Sequence, residues 1–354
     1  MTTFNKAESV RALAYQAGFD LVGITNMGPV PQATYYRDWL TAGYGGSMHY
    51  LARNVHLREN PANLLPGARS AICVALNYRP QDEHRPEHRR PTGRVAAYAR
   101  GRDYHQVIRE MLMEVVAGLR SQLSEPFETR ICVDTAPLLE RELAQAAGLG
   151  WIGKHTGLIN RQLGSYLLLG EILTTLELTP ATPTTDHCGS CTRCLDACPT
   201  GAIFAPHQLN AARCLSYWTI EHRTEIPPDI HEKLGDWVFG CDICQQVCPY
   251  NRSAPPARHP DLTTQYTPAH LDLLKLLTLR SAEYRRLTAN SATRRARCAM
   301  WRRNAAITLG NYTSPDAATH TAVEQALVEA VQDDDATVSA AVASSLKRLK
   351  ERGA

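Results

Sequence analysis

The chain has 354 residues, 44% of them hydrophobic and 21% charged, which suffices for two or three domains with sizeable cores. Its net charge of +3 is too small to imply a nucleic-acid partner by itself. No run of eighteen apolar residues is present to span a membrane.

At the start, Val10, Leu13, Ala14 and Ala17 recur at helical spacing, with Gly18 as a stop and a strand at Leu21–Thr25. This reads as an amphipathic helix running into a strand, not as a signal peptide or twin-arginine leader. A cytoplasmic location follows, and in that compartment cysteines serve as ligands or catalysts more often than as disulfides. Ala71–Leu76 and Ile131–Val133 read as buried strands. Val107–Leu119 reads as a helix burying Ile108, Leu112, Val115, Val116 and Leu119. Arg79–Arg94, rich in Pro, His and Arg, reads as a solvated loop. Residues 1–180 thus form an α/β (α+β) domain. Cys73, Cys132 and Cys298 lie in apolar or helical contexts and read as buried small hydrophobes.

Asp134 follows the Ile131–Val133 strand, where ligands bind in parallel α/β sheets. The commoner fate at this position is capping, by Asp134 or Thr135, of a helix over Ala136–Ala147, which has Pro137 in its first turn and Gly148 as its stop. A catalytic acid here must hold its proton near neutral pH. A helix N-terminus opposes that, and burial against a large apolar ligand favours it. Gly148, Gly150 and Gly153 next spell G-x-G-x-x-G, and Gly148–His155 nearly spells a P-loop. Both motifs require a strand before the turn. A helix precedes this one, and position 155 is His rather than Ser or Thr, so a nucleotide site is not expected.

After a Pro/Thr linker at Thr179–Thr185, Cys188, Cys191, Cys194 and Cys198 form a C-x2-C-x2-C-x3-C-P run. This is the iron–sulfur spacing of bacterial ferredoxins, in which the fourth cysteine serves the other cluster. Cys241, Cys244 and Cys248 supply C-x2-C-x3-C-P, and Cys214 lies between. Structural zinc would use paired C-x2-C without the third close cysteine or the proline. Two [4Fe–4S] clusters are expected over residues 181–260. The proposed wiring puts Cys188, Cys191, Cys194 and Cys248 on one, and Cys198, Cys214, Cys241 and Cys244 on the other.

Beyond Leu271 the pattern is helical over residues 261–354, and Ala318–Val331 and Asp335–Lys350 resemble part of a HEAT-type repeat. Between Arg280 and Arg303, eight arginines (280, 285, 286, 294, 295, 297, 302 and 303) stand against one acid, Glu283, with Tyr284 and Trp301 interleaved. Such a cluster repels itself unless a polyanion offsets it, which favours nucleic acid over a solvated helix face. Arg294, Arg295, Arg297, Arg302 and Arg303 are the expected contacts.

Val133–Ile159, Tyr98–His105, Gly164–Leu173, Arg213–Glu221 and Gly240–Asn251 match, in order and spacing, the epoxyqueuosine reductases, which this chain resembles from its N-terminus to at least the arginine tract. The resemblance implies a cobalamin-dependent reductase acting at the last step of queuosine synthesis in tRNA. Its corrinoid domain would be related to that of reductive dehalogenases. Asp134 would be the proton donor, and the glycine turn would line the corrinoid. Ala97, Asp134, Leu158, Leu169, Ser216, Cys241 and Asp242 would approach it. His155 departs from an expected Asn, and Ala97 leaves no protein ligand for cobalt in its segment. The expected partners are tRNA carrying epoxyqueuosine in the anticodon loop and an external electron donor of flavodoxin or ferredoxin type. A monomer is expected, since tRNA must reach the site. The rival readings are another cytoplasmic corrinoid reductase of dehalogenase type and a non-catalytic iron–sulfur nucleic-acid-binding protein. The missing leader and basic tail oppose the first; the large α/β domain opposes the second.

Overall fold

The computed structural model describes residues 5–81, 90–313 and 316–353. The amino-terminal half is built around the strand Ser70–Asn77, all of whose residues are buried. Because it is covered on both faces, its sequence is a continuous apolar run rather than an alternation. Ile72, Val74 and Leu76 enter one core; Ala71, Cys73 and Ala75 enter the other. The strand pairs with Leu21–Asn26 on one side and Leu167–Thr174 on the other, and Thr129–Cys132 completes the sheet beyond Leu167–Thr174. Every pairing in this sheet is antiparallel. The parallel-sheet rule invoked for Asp134 therefore does not apply, since no edge here collects the ends of parallel strands.

Helices Lys6–Gln16 and Tyr104–Gln122 cover one face through Val10, Ala14, Ile108, Leu112, Val115 and Leu119. Gly18 stops the first helix in the left-handed region, at φ +100°. A short helix, Glu140–Ala146, covers the other face with Leu143 and Ala144.

A second sheet has the order Trp237–Phe239, Thr92–Val95, His270–Asp272. Thr92–Val95 falls at the end of the stretch read as a loop, of which residues 82–89 lie outside the described residues. The core beneath joins Val95, Leu215, Trp237, Phe239, Leu271, Trp301, Ile307 and Leu349. All three sequence segments contribute to it. Helix Cys298–Leu309 is buried over most of its circumference, so the final helices Ala317–Glu329 and Ala336–Gly353 pack on this body through Val323, Leu327, Val338 and Val342. Asp316 caps the first of them by accepting from the N–H groups of Ala318 and Thr319. Among the described residues, no helix is long and apolar enough to cross a membrane.

Candidate functional site

Single helical turns at Arg193–Asp196 and Ile243–Gln246 curl the two cysteine runs. Cys188, Cys191, Cys194 and Cys248 line one cavity with Lys154, His155, Ile159 and Tyr250. Cys198, Cys214, Cys241 and Cys244 form a second group, in which burial and then neighbouring thiols raise Cys241 and Cys244. Burial also acts to raise the Cys198 thiol, but surrounding donors outweigh it and lower it: the N–H groups of Ile203, Ala202 and Thr200 and the Thr200 hydroxyl. The Ala202 N–H lies 3.3 Å from its sulfur. Donors of this kind favour thiolate, the form that binds iron. Among the described residues, no three His, Cys, Asp or Glu side chains converge on a single-ion point. The first four thiols stand around a cavity instead, which fits a cluster of several metals.

The glycine turn sits against the first cavity. Gly148, at φ +78°, ends the Glu140–Ala146 helix, and the Leu149 N–H closes back onto the Ala144 carbonyl at 3.0 Å. A Cβ on Gly153 would lie 3.6 Å from the Cys188 sulfur. Lys154 Nζ donates to the carbonyls of Gly189 (2.6 Å) and Cys191 (2.9 Å). Gly153, Lys154 and His155 thus face the cysteine loop. Leu158, on the returning strand of the Trp151–Ile152/Leu158–Ile159 ribbon, does enter the core on the Glu140–Ala146 side of the main sheet.

Asp134 is exposed, at φ +53°, an uncommon conformation for a residue with a side chain. It caps no helix, because the helix begins at Glu140 with Leu139 as N-cap. Its N–H donates instead to Glu140 Oε1 at 2.6 Å, fixing the loop. Its Oδ2 lies 3.0 Å from His105 Nε2, and His105 Nδ1 lies 2.7 Å from Asp103 Oδ1. Burial acts to lower the His105 imidazole, but the two carboxylates outweigh it and raise it to about 9. Behind the loop, Glu171 is fully buried in Leu167–Thr174, opposite Cys73 and Cys132. Burial, then the Glu140 and Asp134 carboxylates, raise it strongly, so it holds its proton.

The remaining expected corrinoid residues come from four segments. The Ala97 N–H donates to Asp242 Oδ2 at 2.7 Å, both residues being buried. That bond joins the Tyr98 segment to the second cysteine run. The Tyr98 hydroxyl is raised first by burial, then by the Asp134 and Asp242 carboxylates. Ser216 and Cys241 are half-buried beside this join, and Leu169 is half-buried in the main sheet. The set is small or apolar and offers no imidazole. It suits a flat ligand held by apolar and backbone contacts.

Residues 58–135 match the epoxyqueuosine reductase QueG family model, and residues 187–251 match the 4Fe-4S double cluster binding domain. The epoxyqueuosine reductase of Xanthomonas campestris is 43% identical over 308 residues, covering 86% of both chains. That of Alicycliphilus denitrificans is 38% identical, covering 95% of this chain and 96% of the relative. The chain belongs to the epoxyqueuosine reductase family. Its members are oxidoreductases. A solved epoxyqueuosine reductase bound to an epoxyqueuosine-modified tRNA stem loop superposes with TM-score 0.84 at 28% identity, covering 97% of this chain and 98% of that one. The Streptococcus thermophilus enzyme does so with TM-score 0.78 at 27% identity, covering 97% of each chain.

The structure divides the arginine tract that the sequence singles out. Arg303 is wholly buried, donating to the carbonyls of Trp218, His222 and Thr224 and to Asn304 Oδ1. It is withdrawn from the expected tRNA contacts, because its guanidinium binds carbonyls in the core and cannot reach a phosphate. Arg302 is half-buried between Asp333 (2.9 Å) and Asp334 (3.0 Å). Arg295 grips Glu221 through two bonds and lies over the Tyr50 ring. Arg294 and Arg297 are exposed and pair with no carboxylate among the described residues; Arg280, Arg285 and Arg286 are also exposed. Sequence reasoning assigned no role to His105, Glu140, Glu171 or Trp151. The first two flank Asp134 at distances of 29 and 6 residues along the chain, and only the fold sets them there.

Proposed function

We propose that this chain reduces epoxyqueuosine to queuosine in tRNA. The full-length likeness to a reductase holding an epoxyqueuosine-modified tRNA stem loop carries this reading. The two cysteine groups hold two [4Fe–4S] clusters, wired as Cys188, Cys191, Cys194 and Cys248 and as Cys198, Cys214, Cys241 and Cys244. Cobalamin is held by Ala97, Leu158, Leu169, Ser216, Cys241 and Asp242. When bound, these groups would supply single electrons and a strongly reducing centre for the epoxide.

The protein's own residues do the rest. Asp134 passes a proton to the epoxide oxygen as its C–O bond breaks, acting as general acid with the proton it receives from the imidazolium of His105, whose Nε2 lies 3.0 Å from its Oδ2. His105 and Glu140 hold the Asp134 side chain and backbone at that point. The overall change consumes two electrons and two protons and releases the oxygen as water. Exposed Arg294 and Arg297 engage the tRNA backbone, and the modified base leaves its stack to enter the site. An external donor of flavodoxin or ferredoxin type supplies the electrons. The enzyme works as a cytoplasmic monomer, its carboxyl-terminal helices forming a HEAT-like module.

Incubating the reduced protein with epoxyqueuosine-containing tRNA should yield a nucleoside lighter by one oxygen in mass spectrometry. Asp134→Asn should retain iron and corrinoid while losing turnover. Full activity of that variant would remove Asp134 from the chemistry.

A further inference from the structure

We propose that His155 donates a hydrogen bond from Nε2–H to the cluster held by Cys188, Cys191, Cys194 and Cys248, raising its reduction potential relative to the other cluster. This rests on the assignment of those four cysteines to one cluster.

The His155 ring is buried, with 7% of the residue exposed. Its Nδ1 accepts the N–H of Gly157 at 3.0 Å. A ring nitrogen that accepts carries no proton, so the neutral ring bears its proton on Nε2. A Cβ on Gly157 would lie 3.0 Å from both Nδ1 and Cε1, so the glycine lets the ring lie close on the backbone. The imidazole is thereby fixed in tautomer and in position.

Nε2 is itself buried and has no hydrogen-bond partner among the described residues. A buried donor left so calls for a ligand that the protein atoms do not include. The residue forms part of the wall of the four-cysteine cavity. Lys154, next to it, is already committed to the carbonyls of Gly189 and Cys191. Trp151 packs nearby with Ile159, Cys248 and Cys188, and its indole N–H acts to lower the Cys188 thiol, as a donor to sulfur does. The orphaned His155 N–H thus borders a cavity whose expected occupant is rich in sulfur acceptors.

Hydrogen bonds to cluster sulfurs raise the reduction potential, since they stabilise the more negative reduced state. In the other cysteine group, Cys198 is served by the Ala202 N–H and, at 3.7 Å, by the Thr200 hydroxyl. His155 lines the cavity of Cys188, Cys191, Cys194 and Cys248, so its donor acts on that cluster.

The test is a redox titration, followed by electron paramagnetic resonance, of the full chain carrying both clusters and cobalamin. His155→Leu should move one of the two reduction steps to lower potential and leave the other in place, and His155→Asn, which keeps a donor, should move it less. With ¹⁵N-labelled histidine, one reduced cluster should show a nitrogen coupling that persists in His187→Gln and vanishes in His155→Leu. Two unmoved steps in a fully iron-loaded His155→Leu protein would overturn the proposal. If that variant loses its iron, absence of the coupling in the unsubstituted chain would overturn it equally. An unsubstituted chain with only one cluster signal would overturn the cluster assignment, and the proposal with it.

Discussion

The cysteines between residues 188 and 248 and the arginines between 280 and 303 are both dense local signals, eight residues each. Folding treats them differently. It gathers the cysteines into two groups of four and disperses the arginines among core, ion pairs and open surface. Cluster ligands must approach a common centre, so the intervals between them are set by the geometry of the turn and are visible in sequence. Positive charge carries no such constraint. A guanidinium serves a phosphate, a carboxylate or three buried carbonyls with the same fork of donors, and only the direction of its side chain decides which.

Substitutions can break this comparison. The largest effect is expected from Cys244→Ser, which should halve the iron content measured after anaerobic reconstitution and abolish turnover. Retention of both clusters would dissolve the grouping. Next is Arg303→Ala. It strips donors from buried carbonyls and should cost about 3 kcal/mol in chemical denaturation, at about 1–3 kcal/mol for each buried group left unsatisfied. Arg297→Ala, at an exposed position, should stay within about 0.5 kcal/mol of the parent. Equal losses would mean that burial does not separate the two arginines. Third, the double variant Arg294→Glu, Arg297→Glu should weaken tRNA binding without loss of stability. The slope of log K against log salt should flatten by about 0.7–0.9 for each phosphate that the variant no longer neutralises. An unchanged slope would remove both residues from the interface.

The smallest effect concerns the Asp134 loop. Because His105 is raised above its ordinary value of about 6.5 to about 9, its charged form stabilises the fold. That contribution is fully present below about pH 6.5 and is lost as pH rises through about 9. His105→Gln should therefore be less stable than the parent at pH 6 and approach it at pH 10, as followed by urea denaturation. A stability gap that does not vary with pH would show that the imidazole contributes packing alone.

Legibility of the fold followed the range of the interactions. The helix at Val10–Ala17, its Gly18 stop and the strands around Ile24 and Ile72 are close to where the sequence puts them, because periodicity and glycine chemistry are local. Leu167–Thr174 escaped as a strand although it lies between two partners in the main sheet, since an apolar run covered on both faces has no alternation. Thr92–Val95 escaped because four residues between a Pro/His/Arg loop and a tight turn carry too little pattern. A helix precedes the G-x-G-x-x-G turn, as its local pattern indicates, but the seat of the turn against Cys188 depends on hydrogen bonds across 35 residues of chain.

By itself, the sequence determined which residues can hold two clusters, since thiolate spacing is a short-range property of the chain. It also determined the family, since several motifs recur in order and spacing. The tertiary structure alone decided that the main sheet is antiparallel, that Asp134 is held by His105 and Glu140 rather than capping a helix, and that Arg303 belongs to the core. It also placed an orphaned His155 N–H at the wall of the first cysteine cavity. Each of these depends on which distant surfaces exclude water together, and burial is a property of the folded assembly rather than of any one stretch of chain.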